Sequence, residues 1–151
     1  MVFAENFVAE AVAAVEALGG KGIALCQSRD LPEACVDADV PLEKYESFKA
    51  QTSMRPTYGV GACQCAPKNW FHEVRGYDEG YRWWGFEDQD MLSRAVRSGL
   101  EPVWITEKTA MLHQWHPKQN KTHKFRIGLN RWRYRLLKPW VKRNRKGWGQ
   151  L

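Results

Sequence analysis

A chain of 151 residues suits one domain and is long enough to bury a real core. Its net charge of +6 hides an asymmetry: residues 1–107 carry 10 Lys and Arg against 17 Asp and Glu, whereas residues 108–151 carry 13 Lys and Arg and no acid. No apolar run approaches the ~20 residues that cross a bilayer and no signal peptide is visible, so the expectation is a cytoplasmic protein without a spanning helix.

In chain order, Asn6 caps a helix expected to run to about Leu18, with Val8, Val12 and Val15 as its apolar stripe and Gly19-Gly20 as its stop. Ile23-Ala24-Leu25-Cys26, within Lys21 to Cys26, reads as a short strand. Ser28 to Tyr45, rich in Pro and Asp, reads as a loop. Tyr58 to Ala66 reads as a buried strand whose glycines imply close approach by a backbone or a ligand. Pro67 opens a short helix, Lys68 to Val74. The strongest helix signal is Glu87 to Ser98, stopped by Gly99. Short strands follow at Pro102 to Thr106 and Ala110 to Trp115.

From Lys121 to Trp148 bases alternate with bulky apolar residues. Phe125, Leu129, Trp132 and Leu136 recur at helical spacing, flanked by Arg131, Arg133 and Arg135. That face either packs back onto the domain or lies on a membrane surface. The four cysteines, Cys26, Cys35, Cys63 and Cys65, form no C-x-x-C pair and fail the zinc spacings, so they read as reduced structural thiols.

The densest chemistry lies in Trp83-Trp84-Gly85-Phe86-Glu87-Asp88-Gln89-Asp90. Two indoles, a glycine turn and three carboxylates meet at a helix start. Aromatic faces stack on sugar rings, and a carboxylate takes a proton from a hydroxyl. This stretch resembles the Trp-Gly-x-Glu-Asp-x-Asp motif on the acceptor side of inverting GT-A glycosyltransferases. The order of Gly59-Val60-Gly61-Ala62, Phe71, Val74-Arg75-Gly76-Tyr77-Asp78-Glu79 and Leu112-His113-Gln114-Trp115-His116-Pro117 extends the resemblance from about Gly59 to Pro117. It is closest to the galactosyltransferase-type C-terminal module and to family-2-like transferases. Arg75 stands where that family usually has Gly.

The resemblance implies an α/β fold, the acceptor and catalytic half of a GT-A enzyme over residues 1–117, followed by a basic amphipathic helical tail over 118–151. No Gly-rich phosphate loop precedes Gly59, so the nucleotide-binding half is expected elsewhere: in a truncated, split or minimal enzyme. Met1 to Phe7 reads like the segment that follows the family's metal-binding Asp-x-Asp. The literal Asp37-Ala38-Asp39 follows a poor strand and reads as a solvated loop.

By resemblance, Asp88 is the base that deprotonates an acceptor hydroxyl as it attacks a nucleotide-diphosphate sugar. Glu87 orients the acceptor or holds the loop. The positive end of the helix dipole is expected to hold Asp88 ionised. Trp83, Trp84, Gly85, Gln89 and Asp90 form the substrate-binding group, Trp84 foremost among the stacking indoles. Gln89 replaces an Asp that contacts the acceptor in some relatives. His116 takes the position of the family's metal-binding His, with His113 the alternative. Mn²⁺, or Mg²⁺, shared with an Asp-x-Asp outside the chain is the implied cofactor. The implied partners are a nucleotide-sugar donor, a glycan or lipid-linked acceptor, a separate nucleotide-binding half and peripheral membrane contact through the tail. The competing reading is a non-catalytic basic module on a transferase-like scaffold that binds membrane or nucleic acid.

Overall fold

The computed structural model describes residues 1–35, 40–54, 59–82, 84–117, 124–145 and 147–149. Its organising strand is β2 (Gly22–Leu25), buried along its whole length. Strand side chains alternate between faces, and the neighbours of β2 divide accordingly. Ala24 and Cys26 join Phe7, Ala11, Ala14 and Val15 of helix α1 (Phe7–Glu16) on one side. Ile23 and Leu25 join Trp70, Val74, Met91 and Ala95 on the other, from helices α3 (Lys68–Glu73) and α4 (Glu87–Arg97) and the turn after α3. A strand covered on both faces reads as a continuous apolar run, which is why Ile23 to Cys26 was legible.

The fold is α/β, as expected, and its sheets are mixed. In one, β2 lies between β5 (Gln64–Cys65), antiparallel, and β6 (Glu101–Trp104), parallel. The second runs β1 (Val2–Phe3), β7 (Met111–His113), β3 (Ser28–Asp30), β4 (Ser53–Met54), with β3 parallel to β7 and both outer pairs antiparallel. The chain passes from the first sheet to the second twice, from β2 to β3 and from β6 to β7. Both crossings lead toward the same cleft.

Several expectations change in detail. The buried stripe of α1 is Phe7, Ala11, Ala14 and Val15, while Val8 and Val12 are exposed. Alanines let the helix approach closely: a Cβ at Gly22 would sit 3.1 Å from the Val15 Cα. Asn6 stands at the helix start without a side-chain capping bond, its Oδ1 accepting from Thr109 at 2.9 Å instead. The expected strand from Tyr58 to Ala66 contracts to Gln64–Cys65 among the described residues. Ser28 to Tyr45 contains β3 and two 3₁₀ turns, Glu33–Cys35 and Leu42–Lys44, and a short helix α2 (Tyr45–Lys49) follows. Asp37 and Asp39 lie outside the described residues. Gly99 stops α4 at φ 86°, with Leu100 N–H donating to Ala95 at 3.0 Å.

The last helix, α5 (Lys124–Leu137), is anchored to the body. Arg133 holds Asp78 at 2.7 Å, and beyond the helix Arg143 holds Asp90 at 2.6 Å. Among the described residues no helix is long and apolar enough to cross a membrane.

Candidate active site

The loop before α4 is built from two residues in the left-handed region, Gly85 at φ 108° and Phe86 at φ 75°. Glycine takes such a conformation freely, but a bulky residue like phenylalanine resists it, so Phe86 must be held from outside. Its ring packs against Tyr134 of α5 at 5.8 Å between centroids. Asn130, buried on the inner face of α5, donates from Nδ2 to the carbonyls of Arg82 (2.8 Å) and Gly85 (3.1 Å), with a longer contact to Trp84. The tail therefore fixes the turn that presents Trp84 and starts α4.

Beside this turn opens a cleft of about 700 Å³, within the usual range for a small-molecule site. Trp84, Gly85, Glu87, Asp88 and Gln89 line one wall, Gly59 to Ala62 another, and Gln27, Ser28 and His113 close it where the sheets meet. Trp84 is 74% exposed, so its indole is open to the cleft and is not a core ring. Trp83 lies outside the described residues.

Asp88 is braced from two sides. Gln64 donates from Nε2 to the Asp88 carbonyl at 2.9 Å, and Tyr77 donates to Gln64 Oε1 at 2.9 Å. Gly61 packs directly against the Asp88 carboxylate, where a Cβ would overlap it. The glycines implied close approach by a backbone or a ligand; what meets Gly61 is instead a side chain, the carboxylate of the candidate base. Burial and then the neighbouring Glu87 charge push the Asp88 carboxyl above its ordinary range, opposite to the direction the helix dipole alone would give. Burial likewise pushes Tyr77 up to about 12. Among the described residues Glu87 Oε2 is buried without a hydrogen-bond partner.

Asp90 has a different place from Trp84, Gly85 and Gln89 of the predicted substrate-binding group. It is fully buried and does not line the cleft. Its carboxylate takes Arg94 Nε at 2.9 Å and Arg143 Nη2 at 2.6 Å. Arg94, itself fully buried, also donates to the Gly76 carbonyl at 2.8 Å. Asp90 thus ties α4 to the tail from beneath the site. Asp78 does the same nearby: burial pushes its carboxyl up, but the bonds from Arg133 and the Gly80 N–H outweigh this and hold it below its ordinary range. Arg75, the departure from the family's glycine, adopts φ 61°, a left-handed conformation such as glycine takes readily. Asn144 holds it there, its Nδ2 donating to the Arg75 carbonyl at 2.6 Å while Arg75 Nη1 donates to the Asn144 carbonyl at 2.7 Å.

The parallel register of β3 on β7 sets Asp30 opposite His113, and their side chains meet at 3.2 Å from Oδ1 to Nδ1. A carboxylate on one ring nitrogen fixes the tautomer and orientation of an imidazole, a common arrangement behind metal-ligating histidines. The His116 ring lies 5.1 Å from that of His113. Among the described residues no group of three or more His, Cys, Asp or Glu is placed to hold a metal ion. Two imidazoles fit the chemistry of Mn²⁺ but make an incomplete donor set.

Sequence reasoning gave no role to Gln64, Asn130 and the lining residues Gln27, Ser28 and Ile127, and quoted Tyr77 only as part of a motif run. Each is brought in by a long-range contact, and none carries a local signal.

A family model described as the N-terminal domain of galactosyltransferase matches residues 44–119, half of the chain, a span that takes in Gly59 to Ala62, Asp88 and His113 of the cleft wall, and His116 beyond it. Among curated proteins, human chondroitin sulfate synthase 3 is 28% identical over 86 residues, covering 57% of this chain and 10% of that protein. The mouse chondroitin sulfate synthase 3 is 30% identical over 77 residues, covering 51% of this chain and 8% of that protein. The chain thus spans about a tenth of the length of the curated relatives it matches. No solved structure matches it.

Proposed function

Since the chain belongs to this galactosyltransferase family, and so to the sugar-transferring enzymes, we propose that its cleft moves a hexosyl group from a nucleotide-diphosphate sugar to an acceptor hydroxyl with inversion. The observation that carries this reading is the meeting of Asp88, Glu87, Trp84 and His113 around one cleft.

The acceptor ring stacks on the exposed Trp84 indole, and Gly85 leaves its backbone open to approach. The Glu87 carboxylate, on the cleft wall, accepts an acceptor hydroxyl, and Gln89 offers both a donor and an acceptor beside it. Asp88 takes the proton of the attacking hydroxyl. The raised carboxyl suits this task, because a base is more effective as its pKa nears the working pH. The bond from the acceptor oxygen to the anomeric carbon forms on the face opposite the departing diphosphate, which inverts that carbon. His116, with His113 beside it, would contribute to a Mn²⁺ or Mg²⁺ site whose oxygen ligands come from an Asp-x-Asp outside this chain. The ion would neutralise charge on the leaving diphosphate.

Two measurements test this reading. With a nucleotide-binding segment bearing Asp-x-Asp supplied, the product anomer is expected to be inverted relative to the donor by NMR. A retained configuration would sink the mechanism. Calorimetry should show Mn²⁺ with nucleoside diphosphate bound only when that segment is present. Micromolar Mn²⁺ binding by this chain alone, abolished by mutating Asp37 and Asp39, would overturn the shared metal site.

A further expectation concerns Gly61. A methyl group there meets the Asp88 carboxylate and turns it away. Gly61→Ala should leave the melting temperature near that of the parent chain while lowering kcat, by up to about 100-fold for a displacement on the order of 1 Å. Unchanged kcat would mean that the carboxylate position does not matter to turnover.

A further inference from the structure

We propose that the outer face of α5 seats the protein on an anionic lipid bilayer. At 3.6 residues per turn, Phe125, Leu129, Trp132 and Leu136 fall within a stripe on the order of 60° wide. They are 78%, 55%, 65% and 57% exposed, and Trp140 just beyond the helix is 60% exposed. The helix is not turned outward for lack of an inner face. Asn130 is buried on the opposite side, and Ile127 there lines the cleft. Tyr134 meets Phe86 on that side. The sequence left open whether the apolar stripe packs inward. It does not, because the polar Asn130, with its four backbone contacts, occupies the inward position.

The surroundings of the stripe select its partner. Arg131 and Arg135 are exposed on one flank, and Lys138, Lys142 and Arg145 are exposed beyond the helix. No acidic residue occurs in 108–151 to offset them. An apolar stripe bordered by bases matches the acyl and headgroup layers of an anionic bilayer, with tryptophans at the boundary. A two-fold pairing of copies through this face would set like charges against each other. A nucleic-acid surface would leave the leucines of the stripe without a role, since stacking on bases needs aromatic or guanidinium planes. This inference does not depend on the sugar-transfer reading, because it concerns the opposite face of α5 and is measured without turnover.

The test is co-sedimentation of the whole chain with phosphatidylcholine vesicles, with and without roughly 30% phosphatidylserine. Binding to the anionic vesicles should exceed binding to neutral ones by about tenfold or more, and should weaken as salt rises from about 0.05 to 0.5 M. Tryptophan emission should shift to the blue on binding. The double variant Trp132→Ser with Leu136→Ser changes only exposed side chains, so its circular dichroism and melting temperature should match the parent chain. Its anionic-vesicle affinity should fall by about tenfold or more. Arg131→Gln with Arg135→Gln should reduce the preference for anionic lipid. No preference for anionic vesicles, or an unchanged affinity in the folded Ser variant, would overturn the proposal. So would dimerisation through the same stripe, or tight salt-sensitive oligonucleotide binding, if either occurred without vesicle binding.

Discussion

Asp90→Ala should lower the free energy of unfolding by about 3–5 kcal/mol, the usual cost of leaving a buried charge without its partner. Arg94 and Asp90 are both fully buried, and the Arg143 side chain is 2% exposed. Removing the carboxylate leaves two guanidinium groups facing each other out of water. For a chain of this size that loss corresponds to a fall in melting temperature on the order of 10 °C. Chemical denaturation with intact midpoint cooperativity measures it. Arg143→Met should destabilise as well, and the two substitutions together should cost less than their sum, because they break one interaction. A loss under about 1 kcal/mol for Asp90→Ala would be the behaviour of an exposed pair, and would show that water reaches the cluster. Additive effects would separate the tail from α4.

That cluster marks where sequence reading stopped. The Glu87-Asp88-Gln89-Asp90 run was legible as a helix start, since acids and a preceding glycine turn give a strong local signal. Which carboxylate faces the cleft was not. Asp88 and Asp90 differ by two positions, about 200° around a helix, so one faces the cleft and the other the interior. Asp90 pairs with Arg94 one turn on and with Arg143, 53 residues away; an Asp and Arg four apart is also the pattern of an exposed helix pair, so only the distant Arg143 shows that this one is buried. The tail shows the same limit. Its apolar periodicity was clear, but its inward face is chosen by Asn130, a polar residue that a hydrophobic pattern passes over.

The fold divides in a similar way. β2, α3, α4 and β7 were legible because burial on both faces, an opening proline or a closing glycine marks each locally. β1, β3 and β4 were not, because strands of two or three residues exist only through their pairing. The register of β3 on β7 then supplies the Asp30–His113 contact, which no sequence spacing predicts. Gly61 lies between these cases: its local signal, a glycine in an apolar run, pointed to a close approach, and the structure names Asp88 as what approaches.

Asp88→Asn should leave the fold and donor binding in place and cut turnover by about two orders of magnitude or more, the scale of losing a general base. Asn keeps the shape of the side chain, so the close packing against Gly61 persists. The bond from Gln64 is to the main-chain carbonyl and is not touched by the change. What disappears is the capacity to take the acceptor proton. The pH dependence gives a second measure. Burial and the Glu87 charge raise the Asp88 carboxyl in the folded enzyme, and only its ionised form is a base. Activity is therefore expected to be full above that raised value and lost as pH falls through it, with an acid limb above the ~3.9 of an ordinary Asp. Since Asn does not titrate in this range, the residual activity of Asp88→Asn should lack that limb. Parent-level turnover in the variant would remove Asp88 from the mechanism. A lowered rate that kept the same acid limb would assign the titrating group elsewhere, with Glu87 the nearest carboxylate on the cleft wall.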